Sequence, residues 1–235
     1  HILLGISGGI AAYKSCELVR LLKKQGHSIS VVMSKTSTEF ISPLTFQALS
    51  GNPVLTDMHE NGLGNGMAHI NLTREADALV IAPATANTIA KISNGIADNL
   101  LTNLVAARKC PLAVVPAMNV EMWNNPANLR NIEQLRSDGI TVFQPAYGEQ
   151  ACGEIGLGRM LEAADLADLI SDLWVPKILL GKRILITAGA TFEAIDPVRG
   201  ITNISSGQMG MALARACRAA GAKVTLIYGQ LQTTI

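Results

Sequence analysis

His1-Ile2-Leu3-Leu4-Gly5-Ile6-Ser7-Gly8-Gly9-Ile10-Ala11-Ala12-Tyr13-Lys14 opens the chain. The stretch reads as a buried strand over residues 1–6 and a glycine-rich turn. A helix over 14–25 follows, carrying Leu18, Val19, Leu21 and Leu22 at helical spacing, and Gly26 is placed to stop it. Residues 28–33 form the next apolar run. Strand, tight turn, helix and strand in this order predict a parallel pair with a helical crossover.

The same alternation continues. Ser42-Pro43 suits an N-cap and first helical position, and Gly51 suits the stop. Residues 78–82 read as a strand ended by Pro83, with a helix from about Ala86. Residues 112–115 read as a strand ended by Pro116, 126–137 as a helix, 140–143 as a strand and 162–173 as a helix. The expected fold class is α/β, a doubly wound parallel sheet with helices on both faces and ligand-binding loops along one edge. Residues 174–182, with Pro176 and Gly181, break the pattern and place a boundary between domains at 1–175 and 182–235. The second holds a strand over 183–187, a helix over 209–220 and a strand over 223–228. That is one Rossmann-like β-α-β unit, too small to close a core alone. With no initiator Met and an end just after a strand-like run, the chain reads as a fragment.

Composition narrows the class. The chain has 235 residues, 49% hydrophobic and 16% charged, with net charge +1. This excludes a disordered chain and argues against a nucleic-acid binder, which concentrates Lys and Arg. No apolar run reaches the roughly 18–20 residues of a membrane helix. Cys16, Cys110, Cys152 and Cys217 lie far apart without a C-x-x-C pair. A zinc ribbon is therefore not expected, and a reduced, cytoplasmic setting is. No signal peptide is visible.

Several loops could carry chemistry. Gly5-Ile6-Ser7-Gly8-Gly9-Ile10 offers backbone N–H groups to an anion at a helix N-terminus. Its spacing is not G-x-G-x-x-G, and Met33-Ser34-Lys35-Thr36 ends the second strand without an acid for a ribose. NAD is disfavoured and a single phosphate suits the hydroxyls and Lys35; a plain glycine turn beside a polar loop fits equally well. The loop also matches G-x-S-x-G with Ser7 as nucleophile, but no HGGG-type oxyanion segment follows. His27, His59 or His69 would have to supply the base. Thr85 and Asn87 follow the 78–82 strand and suit helix capping or ligand contact. Pro116-Ala117-Met118-Asn119-Val120-Glu121-Met122-Trp123 could hold a flat or sulfur-bearing ligand, or plug the core. Ala151-Cys152-Gly153-Glu154-Ile155-Gly156-Leu157-Gly158-Arg159-Met160 reads as a mobile flap with a reactive thiol, or a turn with an inert one. His69 has no second ligand at metal spacing, so no metal site is expected in this domain.

Taken together, residues 7–14, Ala68-His69-Ile70, 83–88, 116–123 and 151–160 resemble the flavin-containing cysteine decarboxylases, and among them the phosphopantothenoylcysteine decarboxylases. The likeness spans roughly residues 1–173 in order and spacing. The Pro-Ala-Met-Asn block paired with the Ala-Cys-Gly flap separates these from flavin prenyltransferases. Thr187-Ala188-Gly189-Ala190-Thr191, Asp196-Pro197-Val198-Arg199 and 202–207 resemble the opening of phosphopantothenate–cysteine ligases. Those usually carry Pro where Ala190 stands and Lys where Gln208 stands.

The resemblance implies a flavodoxin-like domain and an FMN-dependent carboxy-lyase of coenzyme A biosynthesis, converting 4′-phosphopantothenoylcysteine to 4′-phosphopantetheine. It implies Gly8, Gly9, Ile10, Ser34, Lys35, Thr36, Thr85, Asn87, Thr88 and Ala117 around FMN. His69 is implied as active-site base or orienting group, Asn119 as the holder of the substrate carboxylate and Cys152 as the proton donor, with Met122, Ala151 and Gly153 against the substrate. For the ligase it implies Asn203 at an acyl-cytidylate, Arg199 beside it, and CTP with Mg²⁺ as cosubstrate and cation. It further implies a homo-oligomer, a trimer or an assembly of trimers, with a small-molecule substrate and no nucleic-acid or membrane partner. The alternatives are another FMN-binding member of the fold, either a flavin prenyltransferase or a non-enzymatic regulatory subunit, and the Ser7 hydrolase.

Overall fold

The computed structural model describes residues 1–56 and 68–229, and of residues 68–71 the backbone alone. The chain divides into two compact units, His1–Ala167 and Asp168–Ile235.

The first unit is built on a five-stranded parallel sheet. Its elements in chain order are β1 (Ile2–Ile6), α1 (Ala12–Lys24), β2 (Ile29–Met33), α2 (Pro43–Ser50), α3 (Ala68–Glu75), β3 (Ala78–Ala84), α4 (Ala86–Ser93), α5 (Leu100–Ala107), β4 (Leu112–Pro116), α6 (Val120–Asn124), α7 (Pro126–Ser137) and β5 (Thr141–Val142). A hairpin of β6 (Ala146–Glu149) and β7 (Ile155–Arg159) follows, then α8 (Ala163–Ser171). The spatial order is β2-β1-β3-β4-β5, with every neighbouring pair parallel. The chain moves one way from β1 to β2 and the other way from β3 onward. Right-handed crossovers then put α1 on one face and α4, α5 and α7 on the other. This is the doubly wound, flavodoxin-like α/β sheet expected from the alternation, and its switch point lies between β1 and β3.

Burial explains why these runs became inner strands. Every residue of β1, β3 and β4 is buried, as a parallel strand covered on both faces requires. On one face Leu3, Leu79, Ile81, Leu112 and Val114 pack in one cluster with Ile89, Leu101, Leu104, Ile132 and Leu135 from the helices. On α1, Ala12, Ser15, Leu18, Val19 and Leu22 form the buried stripe. Helix ends follow local chemistry: Ser42 Oγ accepts from Leu44 N before Pro43, and Gly51 closes α2 at φ 79°.

The strands at the site edge run further than read. Pro83 and Pro116 lie inside β3 and β4. The ladder skips Ala82 and Pro83, so the proline's missing N–H costs no pairing there. Residues 146–159, read in part as an irregular flap, are a hairpin, and residues 120–124 form a short helix.

In the second unit β8 (Arg183–Ala188) and β11 (Lys223–Tyr228) pair in parallel across α9 (Gln208–Ala219). Between them, β9 (Phe192–Ala194) and β10 (Gly200–Thr202) form an antiparallel hairpin. The expected β-α-β unit is present. The division into units falls within α8, ahead of the pattern break over 174–182.

The core cluster should behave as one body. Ile81 has no exposed surface in the central strand. Ile81→Ala is expected to cost about 2–5 kcal/mol and Ile81→Val about 0.5–1.5 kcal/mol. Urea unfolding followed by Trp123 emission in a Trp174→Phe background measures both. Equal small losses for the two substitutions would show that β3 is not the packing centre.

Candidate active site

The site begins with two carbonyls that stand outside the regular strand register. Because the ladder skips Ala82 and Pro83, their oxygens need donors from elsewhere. Ser15 Oγ donates to Ala82 O at 2.7 Å, and Ser7 Oγ donates to Pro83 O at 2.8 Å. Ser7 Oγ in turn accepts from Thr85 N at 3.0 Å, and Ser7 N donates to Pro83 O at 3.2 Å. One buried serine therefore ties the β1–α1 turn to the β3–α4 turn at the switch point. Ser7 is 1% exposed with its hydroxyl engaged on both sides, so it is not presented as a nucleophile, and the hydrolase alternative loses its reactive group.

A cavity of about 590 Å³ opens at this edge, within the range of small-molecule sites. Gly9, Ile10, Thr85 and Ala117 line it from the set expected around FMN, and Asn119, Ala151 and Cys152 from the set expected around the substrate. Tyr13, Lys14 and Arg159, which lie within the sequence stretches that carry the resemblance but have no role of their own there, and Gln150, outside them, also line it. Among the described residues, no backbone carbonyl accepts from the N–H groups of Gly8, Gly9 or Ile10. They stand before the first turn of α1, where an anion is favoured.

Ser34, Lys35 and Thr36 follow β2, and Thr36 packs directly against Gly8. Ser34 Oγ caps the short turn over Lys35–Glu39, accepting from Ser37 N at 3.3 Å, and its own hydrogen is still available to donate. A Cβ on Gly8 would lie 2.6 Å from Thr36 Cβ, so only glycine lets these two loops meet. Thr85 caps α4 through Thr88 N, with Thr88 Oγ1 3.1 Å from Thr85 Oγ1 and Asn87 in the same turn.

Asn119 is held by helix capping. Its Oδ1 accepts from Glu121 N at 2.8 Å and Met122 N at 3.3 Å. With the oxygen committed to α6, only Nδ2 faces the cavity edge, and the amide presents itself as a donor. Nδ2 donates to Glu154 Oε2 and reaches Cys152 Sγ at 3.5 Å. The Cys152 thiol lies 3.6 Å from Glu154 Oε2 and 3.9 Å from Gln150 Oε1. Gln150 links the parts: its Oε1 accepts from Val120 N at 2.9 Å and its Nε2 donates to Leu157 O at 3.2 Å.

The hairpin glycines serve contact. Met118 N donates to Gly158 O at 2.9 Å. A Cβ on Gly156 would meet Val120, and one on Gly158 would lie 2.9 Å from Gln150 Nε2. At the far end of β7, Lys14 Nζ, nearly buried, donates to Met160 O at 2.9 Å and pairs with Glu162 at 2.6 Å. Of the other cysteines, Cys16 and Cys110 are half-buried and burial pushes their thiols up. Cys152 is exposed.

Other expected residues are placed differently. Trp123 is buried in the core cluster, so the Met/Trp segment is in part a core plug; Met122 is exposed and does not line the cavity. Gly153 sits at the hairpin tip at φ 86°, a conformation that favours glycine. The backbone of His69 lies in the first turn of α3, but its side chain, like all of His59, is outside the described residues. In the second unit, Arg199 Nε donates to Asp196 Oδ2 at 2.6 Å, and Asn203 Nδ2 lies 3.4 Å from Thr191 Oγ1. Among the described residues, no helix is long and apolar enough to cross a membrane.

The Flavoprotein family matches residues 1–174. The chain belongs to that family. Residues 179–235 match the DNA/pantothenate metabolism flavoprotein C-terminal domain. The "Coenzyme A biosynthesis bifunctional protein CoaBC" of Vibrio parahaemolyticus is 54% identical over 228 residues, covering 97% of this chain and 57% of that protein. Its namesake from Escherichia coli is 44% identical over 229 residues, covering 97% and 56%. The chain thus spans little more than half the length of these relatives. Among solved structures, a cysteine-to-serine variant of a PPC decarboxylase complexed with pantothenoylaminoethenethiol is 36% identical at TM-score 0.66. It covers 74% of this chain and 97% of that one. The FMN binding protein AtHal3 is 37% identical at TM-score 0.63, covering 74% and 95%.

The Ser7 bridge accounts for the approach of the β1–α1 and β3–α4 turns. Ser7→Ala leaves Pro83 O and Thr85 N without their side-chain partner and is expected to cost about 1–3 kcal/mol, read in the same urea experiment. A fluorophosphonate should leave the unmodified protein unlabelled. Labelling at Ser7 would restore the hydrolase alternative.

Proposed function

We propose that this chain carries an FMN-dependent 4′-phosphopantothenoylcysteine decarboxylase, spanning residues 1–175. The observation that supports it most strongly is the Asn119 amide, turned by α6 so that only its N–H groups face Cys152 at the edge of the cavity. The similarity to a decarboxylase structure over nearly that structure's whole length agrees with it.

The residues present suit FMN. The N–H groups of Gly8, Gly9 and Ile10, without a backbone acceptor among the described residues, and Ser34, Lys35 and Thr36 near them would hold its phosphate. Thr85 and Ala117, which line the cavity, would border the rest, with Asn87 and Thr88 in the α4 turn that Thr85 caps. FMN when bound supplies the thiol oxidation that makes loss of the neighbouring carboxylate feasible.

The protein's own residues do the rest. Asn119 Nδ2 holds the substrate carboxylate by hydrogen bonds and fixes its position until it leaves as CO₂. Gln150 fixes the hairpin against α6, which keeps Cys152 within reach of the same point. The Cys152 Sγ–H delivers a proton to the decarboxylated product, a step needed only after CO₂ has gone. Ala151 and Gly153 flank it, and His69 would orient the substrate. A chain of this family working as a trimer or an assembly of trimers would cover the exposed Ile10 and Tyr13 at the cavity rim.

For residues 182–235 we propose the start of a phosphopantothenate–cysteine ligase domain using CTP and Mg²⁺, with Asn203 and Arg199 in its site. The matches to bifunctional relatives support this reading, which concerns a protein longer than this chain.

Cys152→Ser and Asn119→Ala should fail at different points. Mixed with 4′-phosphopantothenoylcysteine without oxygen, Cys152→Ser should release CO₂ for a single turnover, with the flavin bleached. Asn119→Ala should release no CO₂. CO₂ and flavin absorbance are followed together. Normal turnover in Cys152→Ser, or its failure before any flavin change, would remove the proton-donor role.

A further inference from the structure

One carboxylate oxygen occupies the point on which the proposed chemistry converges. Glu154 Oε2 accepts from Asn119 Nδ2, and it lies 3.6 Å from the Cys152 thiol. These are the two groups that the decarboxylase reading gives to the substrate: the amide to its carboxylate and the thiol to the carbon that carboxylate leaves. Glu154 has no part in that reading.

The backbone fixes this placement. Gln150 N donates to Glu154 O at 2.8 Å and Gly153 N donates to Gln150 O at 2.8 Å, closing the hairpin tip into a tight turn. The neighbouring cations are engaged elsewhere, since Lys14 and Arg159 both pair with Glu162. Asn119 cannot turn its oxygen outward to relax the contact, because that oxygen caps α6. A bound substrate would bring a second carboxylate to the same Nδ2, and two like charges at one donor repel.

We propose that Glu154 is a positioning residue that holds the substrate-carboxylate position in the ligand-free enzyme. Its carboxylate keeps the Asn119 amide oriented and occupied until a ligand bearing its own carboxylate displaces it. A ligand bearing that carboxylate therefore binds against the Glu154 contact, which it must break, whereas a ligand without one leaves the contact in place. This inference rests on the decarboxylase reading, so its test must separate the two.

The probes are 4′-phosphopantothenoylserine, which keeps the carboxylate but has no thiol to oxidise, and 4′-phosphopantetheine, which has no carboxylate. Calorimetry measures each against the FMN-loaded protein, unmodified and as Glu154→Gln and Glu154→Ala. Melting temperature and flavin content are compared first. Removing the competing hydrogen bond should tighten the serine compound roughly three- to tenfold in Glu154→Ala. The shift should be smaller but in the same direction in Glu154→Gln, with 4′-phosphopantetheine affinity unchanged in both.

Unchanged or weaker binding of the serine compound overturns the proposal. So does equal tightening of both ligands, which would make Glu154 a general obstruction. If neither compound binds the unmodified protein, the decarboxylase reading fails and this inference falls with it.

Discussion

The Ser7 hydroxyl, buried between Pro83 O and Thr85 N, is the contact on which the site depends. Strand β3 is interrupted where Pro83 offers no N–H and the ladder skips two residues. A parallel sheet buried on both faces cannot leave those carbonyls bare, because no water reaches them. Ser7 and Ser15 supply the missing donors from the segment following β1. The irregularity in one strand thereby becomes the join between two loops. That join lies at the β1/β3 switch point, where the opposed crossovers open a crevice.

The second half of the site follows from a helix cap. Asn119 serves α6 with its oxygen, and the geometry of an amide leaves its N–H groups pointing the other way. Gln150 does the same for the hairpin, accepting from Val120 N and donating to Leu157 O. Two side-chain amides, each with its acceptor committed to backbone, thus set both the direction of the Asn119 donor and the distance to Cys152. Lys14 secures the far end of β7 from α1, so the hairpin is tied at both ends to helices that begin at the cavity.

The alternation of apolar runs and helical stripes was enough to read the parallel sheet, because inner strands such as β3 carry little except buried aliphatics. The ends of those strands were harder. Pro83 and Pro116 look like stops in a sequence and become stops only if the ladder needs their N–H groups. The glycines over 153–158 look like a source of mobility, whereas Gly156 and Gly158 make room for Val120 and Gln150 in contacts no local pattern reveals. Asn119 and Cys152 could be picked out by likeness to a family. The contacts of Gln150, Lys14 and Glu154 could not, although the last two lie within the stretches that carry the likeness, since their partners lie on other elements: Val120 and Leu157, Met160 and Glu162, Asn119. Trp123 shows the reverse case, a rare residue that draws attention in a loop and is in fact core.

The central proposal is that the N–H groups of Gly8, Gly9 and Ile10, which have no backbone acceptor among the described residues, would hold a flavin phosphate, and titration of flavin-free protein with FMN addresses it most directly. Saturation of flavin fluorescence quenching at one FMN per chain is the outcome this site requires. It should be lost in Gly9→Asp, which puts a carboxylate where the phosphate would lie while meeting only Thr85 Cγ2 at 3.6 Å from its Cβ. Stoichiometric binding that persists in a folded Gly9→Asp protein, or no binding to the unmodified chain, would contradict it.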